Sequence, residues 1–480
     1  MKKQYIFLFL LIIGCCYSCK KYLDVRPKSQ IKEEFIFEKE KGFMDALSGV
    51  YTLMARRELY GDNLTMSFLD VLAQRYRGER KTSPYYNAIN YNYNSDDRGS
   101  NKALLPVKTT IRTIWLSSYS AIANANNILS NIEEKKSIFT GNNYNLIKGE
   151  ALGLRAFLHF DLLRMYGPMI SENPSAKAIP YRTLLSREAQ PLLPANEVIR
   201  LIIDDLLAAE KLLEQDPIVS GAANDNYDFN VANRKFRMNY LAVQATLARV
   251  YQYNNQPNEA YAYAKKVIAS GKYSFVTSQE VSEDGFCRDR TFRNEQLFAL
   301  QINNMKKYTD DYFNVNPKTF EGIQLNNDNT VIEALFENSS TDYRRQYLWS
   351  STEGKLISTK YLQLENRAGF CVWPKNVVPV MRVSEVYYIA AECSPDLNES
   401  ADLINEVLSH RGLDPLIGIN SKAALQEALT KEYQKEFFSE GQLFYYYKRN
   451  KFNKIPGSNV AANSSVYVLP VPEDELIFNN

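Results

Sequence analysis

Histidine is nearly absent. The chain of 480 residues has two, His159 and His410. Neither has a second histidine four positions on, which excludes the helical pair of a zinc protease. There is no G-x-S-x-G elbow, no P-loop and no dinucleotide fingerprint, so the nucleophile and nucleotide chemistries that those motifs carry are excluded too. Net charge is equally scarce, at +2. The only charges before Cys19 are Lys2 and Lys3, and removing them leaves 2 − 2 = 0. No basic field for nucleic acid remains. Cysteine beyond the first nineteen residues is limited to Cys287, Cys371 and Cys393, an odd number at unrelated spacings. That pattern suggests neither a disulfide framework nor a zinc site. Buried thiols are expected there, with no metal and no cofactor.

What the chain does have is tyrosine: 33, against 3 tryptophans. The apolar and charged fractions, 45% and 23%, are ordinary for a folded protein of one large domain or two intimate ones. Abundant tyrosine fits amphipathic packing, or surfaces that grip polar ligands with flat faces and hydroxyls.

The N-terminus reads as an address. Lys2 and Lys3 precede an apolar run, Tyr5–Ile13, too short to cross a membrane and right for a secretory segment. Small residues and cysteines follow, similar to a bacterial lipoprotein signal in which a cysteine is acylated. Ile12-Ile13-Gly14-Cys15 suits the cleavage box better than the residues before Cys19 do. A plain signal peptide with incidental cysteines is the blander alternative. Residues 20–31 read as an extended leader.

The body is organised around residues 144–168, YNLIKGEALGLRAFLHFDLLRMYGP. Apolar residues cover every face of a 3.6-residue helix, so it is expected to be buried all round. Gly149, Gly153 and Ala156 make a smooth side for a close neighbour, and Gly167-Pro168 ends the helix. His159, inside it, is expected to be a satisfied core or interface histidine. His410 lies near a helix C-terminus, where a cation meets the dipole favourably. Other helices are expected at 40–59, 109–134, 195–214, 381–391 and 399–411, and one or a pair at 421–449. Residues 239–254 and 258–270 form an αα-hairpin about Asn255-Gln256-Pro257, capped by Gly271, and resemble a tetratricopeptide repeat. Residues 295–302 read as a short strand.

Two stretches break the helical pattern. Residues 70–100 carry Tyr76, Tyr85, Tyr86, Tyr91 and Tyr93 among Asn, Ser, Gly and Asp. Residues 285–368 carry Tyr308, Tyr312 and Trp349 in a similar setting. A sugar offers one apolar C–H face and a rim of hydroxyls, so its receptor needs flat rings beside amides, carboxylates and arginine. These eight aromatic residues are the candidate ligand contacts. A peptide would use much the same side chains. Asp96-Asp97 and Asp310-Asp311 lie in the same stretches, but adjacent carboxylates seldom converge on one bond as a glycosidase requires, and solvated charge is the simpler reading.

Several blocks arrive in a recognisable order: NANNILSNIEE at 124–134, the central helix at 149–168, residues 242–253, MRVSEVYYIAAEC at 381–393, ADLINEVLSHRGL at 401–413, KEFFSEGQLFYYYKR at 435–449 and YVLPVPEDELIFNN at 467–480. Together they resemble the SusD/RagB family, over nearly the whole chain. The resemblance implies a mostly α fold, a tetratricopeptide-like scaffold of helical pairs with irregular loops and a few short strands. It implies residues 1–18 as lipoprotein signal, 19–39 as leader, and 40–275 and 276–480 as two parts packed as one unit. It favours Cys19, with Cys15 as alternative, as the acylated residue of a surface lipoprotein of the outer membrane, Bacteroidota-type. It implies a non-catalytic receptor for a glycan, or a peptide in some members, working with a SusC-like TonB-dependent transporter. A surface glycosidase and a pure protein adaptor are the other classes. The chain departs from the family's usual EG-x-R-W-x-D-L segment, having Glu440-Gly441-Gln442-Leu443-Phe444-Tyr445-Tyr446, so aromatic packing is expected in place of an ion pair there.

Overall fold

The computed structural model describes residues 36–76, 85–97, 105–186, 188–221, 231–313, 329–352, 354–364 and 375–477. Cys15 and Cys19 lie outside them. The principal helices are α1 (Glu40–Met54), α2 (Val107–Ile132), α3 (Asn143–Tyr166), α4 (Ala195–Leu212), α5 (Tyr240–Tyr253), α6 (Pro257–Ala269), α7 (Met305–Phe313), α8 (Val383–Cys393), α9 (Leu397–Ser409) and α10 (Lys422–Glu436). Three two-stranded antiparallel sheets join them: β1 (Lys177–Ile179) with β2 (Leu193–Pro194), β3 (Gln296–Gln301) with β6 (Val377–Arg382), and β4 (Trp349–Thr352) with β5 (Lys355–Ser358).

Helix α3 is the hub. Apolar residues on all its faces are buried, and it packs between α2 and α4. Its glycines are there for contact. A Cβ at Gly149 would come 2.7 Å from Leu213 Cγ, and one at Gly153 would come 2.7 Å from Met238 Cγ. The hairpin α5–α6 packs on the hairpin α8–α9 through α6 and α8, which gives the stacked helical pairs. The turn between α5 and α6 places Asn255 at φ +57°, a left-handed conformation that asparagine tolerates better than most residues.

Four charged residues of α3 are buried as well: Glu150, Arg155, Asp161 and Arg164. Each has a partner far along the chain. Glu150 accepts from Tyr51 at 2.6 Å and from Arg234, Arg155 clasps Asp205 with two bonds of 2.7 Å, Asp161 accepts from Tyr60 at 2.7 Å, and Arg164 reaches Gln442 at 3.1 Å. Unpaired, each would cost several kcal/mol in a dry interior.

Several expectations need correction. Met381 and Arg382 belong to β6, with α8 starting at Val383. The strand expected at 295–302 is present at 296–301, with both its faces buried. Residues 285–368 are less irregular than their composition suggests, holding α7, two shorter helices and the β4–β5 hairpin. The chain end carries short helices at Ser464–Tyr467 and Glu473–Ile477. Cys287 is disulfide-bonded where a thiol was expected. Closeness in space decides a disulfide, and sequence spacing did not reveal it. Cys371 lies outside the described residues, and Cys393 is a half-buried free thiol.

The segment at 440–446 combines aromatic packing with an ion pair, where aromatic packing in place of one was expected. Leu443 and Phe444 are buried, and Tyr446 stacks on Tyr433 with centroids 4.2 Å apart. Glu440 nonetheless keeps an ion pair, accepting from Arg382 at 2.7 Å.

Candidate ligand-binding site

The end of α1 builds the first side of the site. A Cβ at Gly61 would sit 2.4 Å from the Ala55 carbonyl oxygen, so only glycine lets the chain fold back so tightly. That fold-back brings Asp62 to Arg57, whose Nε donates to Oδ2 at 2.7 Å. Tyr312 of α7 completes a triangle: its hydroxyl donates to Asp62 Oδ2 at 2.6 Å and accepts from Arg57 Nη2 at 2.6 Å. Tyr85 lies 3.4 Å from the same hydroxyl. Burial raises the Asp62 carboxyl above its ordinary range, and Arg57 opposes that shift. Burial, then the Asp62 charge, pushes the Tyr312 phenol well up. The Arg57 guanidinium loses hydration by burial, yet Tyr312 and Asp62 outweigh that and fix it as a cation.

Arg57 also lies 5.4 Å from the centroid of the Tyr308 ring, within cation–π range. Both line a cleft of about 1040 Å³. Tyr308 and Phe236 give it rings; Gln301, Asn303 and Asn304 give it amides; Arg56, Arg57, Arg237 and Lys307 give it cations. The arrangement supplies flat apolar faces beside donors and acceptors, which is what a hydroxyl-rich ligand requires.

Of the eight aromatic residues singled out by sequence, five are core rings. Tyr76, Tyr91, Tyr93, Tyr312 and Trp349 are all at most 9% exposed. Tyr76 donates to the Met66 carbonyl at 2.7 Å, Tyr91 to that of Leu72 at 3.1 Å, and Tyr93 to that of Val466 at 2.6 Å. Trp349 packs edge-on against Phe438. The hydroxyls of Tyr76, Tyr91 and Tyr93 are thus satisfied by backbone and that of Tyr312 by Asp62 and Arg57, as buried tyrosines require. Tyr85, Tyr86 and Tyr308 keep exposed surface, and of these Tyr308 lines the cleft. Sequence reasoning missed Arg56, Arg57, Phe236, Arg237, Asn303 and Asn304. The pairs Arg56-Arg57 and Asn303-Asn304 were the available signal, each just outside a regular element.

Of the titratable candidates, His159 has a structural role. His159 is fully buried, stacked on Tyr181 at 4.0 Å. Its Nε2 accepts the Arg182 N–H at 3.0 Å, so Nδ1 carries the proton and donates to the Arg155 carbonyl at 2.8 Å. Burial pushes it down to about 3, which keeps the ring neutral. Asp96 and Asp97 are exposed, and Asp310 pairs with Lys306 one turn earlier in α7, on a helix where a loop was expected. Among the described residues, no group of three His, Cys, Asp or Glu is arranged to hold a metal ion, and no helix is long and apolar enough to cross a membrane.

Residues 21–252 match a family described as "Starch-binding associating with outer membrane", and residues 223–475 match the one described as "SusD family". The chain belongs to the SusD family. SusD-like protein P38 of Formosa agariphila is 26% identical over 291 residues, 59% of this chain and 48% of that protein. The chain thus spans about half of that relative's length. SusD-like protein P25 of the same organism is 21% identical over 443 residues, covering 84% of this chain and 80% of the relative. A SusD superfamily protein of Bacteroides thetaiotaomicron superposes with a TM-score of 0.69 at 21% identity, over 92% of this chain and 98% of the other. A SusD-like carbohydrate binding protein of Bacteroides vulgatus gives 0.69 at 20% identity, over 92% and 96%. At such identities these two structures establish the shared fold.

Proposed function

We propose that this SusD-family chain is a non-catalytic cell-surface receptor that captures a glycan and hands it to a SusC-like TonB-dependent transporter, held to the outer membrane by an acylated Cys19 or Cys15. The observation that carries the reading is the cleft at the end of α1, where Tyr308 and Phe236 stand beside Asn303, Asn304 and Arg57. A ring face pressed on a sugar contributes about 1 kcal/mol or more, and the flanking amides and guanidinium fix its hydroxyls. The match to a family described as starch-binding and the likeness to a carbohydrate binding protein of Bacteroides vulgatus support the ligand class. Tyr85 and Tyr86 are kept as secondary contacts on their exposure.

The test is a glycan and peptide array followed by calorimetry on the best ligand. Tyr308→Ala is expected to weaken binding about tenfold, with unchanged melting temperature. Chromatography of the ligand after incubation is expected to show no cleavage. Product formation would replace this reading with a surface glycosidase, and peptide-only binding would move the ligand class. Binding indifferent to Tyr308→Ala would remove the cleft from the argument.

A further inference from the structure

A second cleft, of about 90 Å³, lies across the 3-10 turn Val231–Phe236 from the first. Lys235 lines it, while the next two residues, Phe236 and Arg237, line the larger cleft. Strand β3 serves both in the same way, Gln296 on one and Gln301 on the other. The small cleft has room for a head group and not for a whole sugar.

Its charge is one-sided. Lys235, Arg288, Arg290, Arg293, Lys360 and Lys375 line it, with Asp289 as the acid among its lining residues. Asp289, whose carboxylate accepts the backbone N–H groups of Thr291 and Arg293, the nearer at 2.9 Å, offsets only part of that charge. Arg293 is engaged by Glu280 at 2.7 Å and Lys360 by Glu440. The other four reach no carboxylate among the described residues. Arg288 and Arg290 donate to the carbonyls of Glu283 and Gly285, and Lys375 to that of Leu364. Such an accumulation on a chain whose charges otherwise cancel is unfavourable without a counter-charge. Burial lowers the Lys235 ammonium, with Arg293 adding to the shift, and burial followed by Arg288 brings the Arg290 guanidinium down to about 10.

Two buried polar atoms of the lining residues also lack partners among the described residues: Arg290 Nε has no acceptor there, and Gln296 Oε1 no donor. A ligand that satisfies both must carry an acceptor, preferably charged, and a hydroxyl. An inorganic anion supplies the first and an acidic sugar supplies both.

We propose that this cleft binds the anionic substituent of an acidic oligosaccharide, a carboxylate or a sulfate ester, and so selects charged over neutral glycans. The inference rests on the receptor reading above and narrows its substrate class. Lys235 and Arg290 hold the charged group by charge-assisted hydrogen bonds, and Gln296 accepts from the adjoining sugar hydroxyl.

Calorimetry of the purified chain with three probes tests it: trigalacturonate for the carboxylate, a sulfated uronate-free tetrasaccharide for the sulfate ester, and maltohexaose as the neutral sugar. At least one acidic probe is expected to bind more tightly than maltohexaose, with an affinity that falls as salt rises. Lys235→Gln with Arg290→Gln is expected to weaken that probe roughly tenfold or more and leave maltohexaose unchanged. Lys375→Gln, on an exposed side chain, keeps the test intact if the double variant folds poorly, and is expected to weaken the same probe by less. If maltohexaose binds through Tyr308 while both acidic probes bind no better, or bind without regard to these variants, the inference fails and the receptor reading stands. If none of the three probes binds, the inference fails, and the receptor reading falls too if the glycan and peptide array also yields no ligand.

Discussion

Glu436 is the carboxylate on which the C-terminal part converges, and Glu436→Gln measures what it contributes. Its side chain is fully buried. It accepts from Arg344 Nη1 at 2.9 Å, from Arg411 Nε at 3.0 Å and Nη2 at 2.6 Å, and from Arg382. Glu295, Asp342, Glu432 and Glu440 complete the acid side, and Lys360 and Lys435 join the three arginines. Five cations thus face five carboxylates. Glutamine keeps the shape but turns an amide N–H₂ towards guanidinium groups and leaves one positive charge uncompensated in a dry interior. The expected loss at neutral pH is about 3–5 kcal/mol. Burial alone would raise the Glu436 carboxyl, but Arg411, Arg382 and Arg344 outweigh it and hold it well below the usual range. An unfolded glutamate titrates near 4.3 or so, so this stabilisation is complete above about pH 5. It is lost as pH falls towards the folded value, by about 1.4 kcal/mol per pH unit. The wild-type advantage should therefore narrow in acid. Urea unfolding followed by tryptophan fluorescence reads it, because Trp115 and Trp349 are buried. A difference below about 1 kcal/mol at neutral pH, or one that stays flat down to about pH 3.5, would refute the reasoning.

Other outcomes follow from the same physics. Gly153→Ala should destabilise, by about 1–3 kcal/mol in urea, because the added carbon meets Met238 at 2.7 Å; a gain of about 1 kcal/mol, as on an exposed helix, would show that Met238 yields. His159 titrates near 6.5 or so when unfolded and at about 3 when folded. Its presence therefore costs stability as pH falls between those values, about 1.4 kcal/mol per unit, and His159→Gln should flatten the acid limb of the stability curve. Burial pushes the Cys393 thiol up to about 12, so iodoacetamide at mildly alkaline pH should label it by mass spectrometry far more slowly in native than in urea-unfolded protein.

The sequence made the architecture legible where one segment carried its own signal. Helix α3 announced burial by apolar residues on all faces, and the α5–α6 hairpin by its proline turn. It could not show partners separated by long stretches of chain. Arg164 and Gln442 are 278 positions apart, and nothing local to either marks the other. The aromatic residues failed for the same reason. Tyr93 and Tyr308 have similar polar surroundings in sequence, yet Tyr93 donates into the core at Val466 while Tyr308 faces a cleft. The basic run RDRTFR at 288–293 was visible but passed over beside so many rings.

One buried ion cluster explains how the two clefts come to lie back to back. Arg234 is fully buried; its Nε donates to Asp216 Oδ1 at 2.8 Å, and its other nitrogens reach Asp216 Oδ2 and Glu150. Glu150 belongs to α3, which is buried along nearly its whole length. The 3-10 turn is thereby pinned at Arg234. Asn239 ties the same residue to β3, donating to the Arg234 carbonyl at 2.9 Å and to that of Leu297 at 2.8 Å. With Arg234 held in this way, Lys235 lines the small cleft while Phe236 and Arg237 line the large one. A charge that the α3 hub can bury only by pairing it therefore sets the spacing of side chains that face solvent. The core and the proposed recognition surface are parts of one electrostatic arrangement.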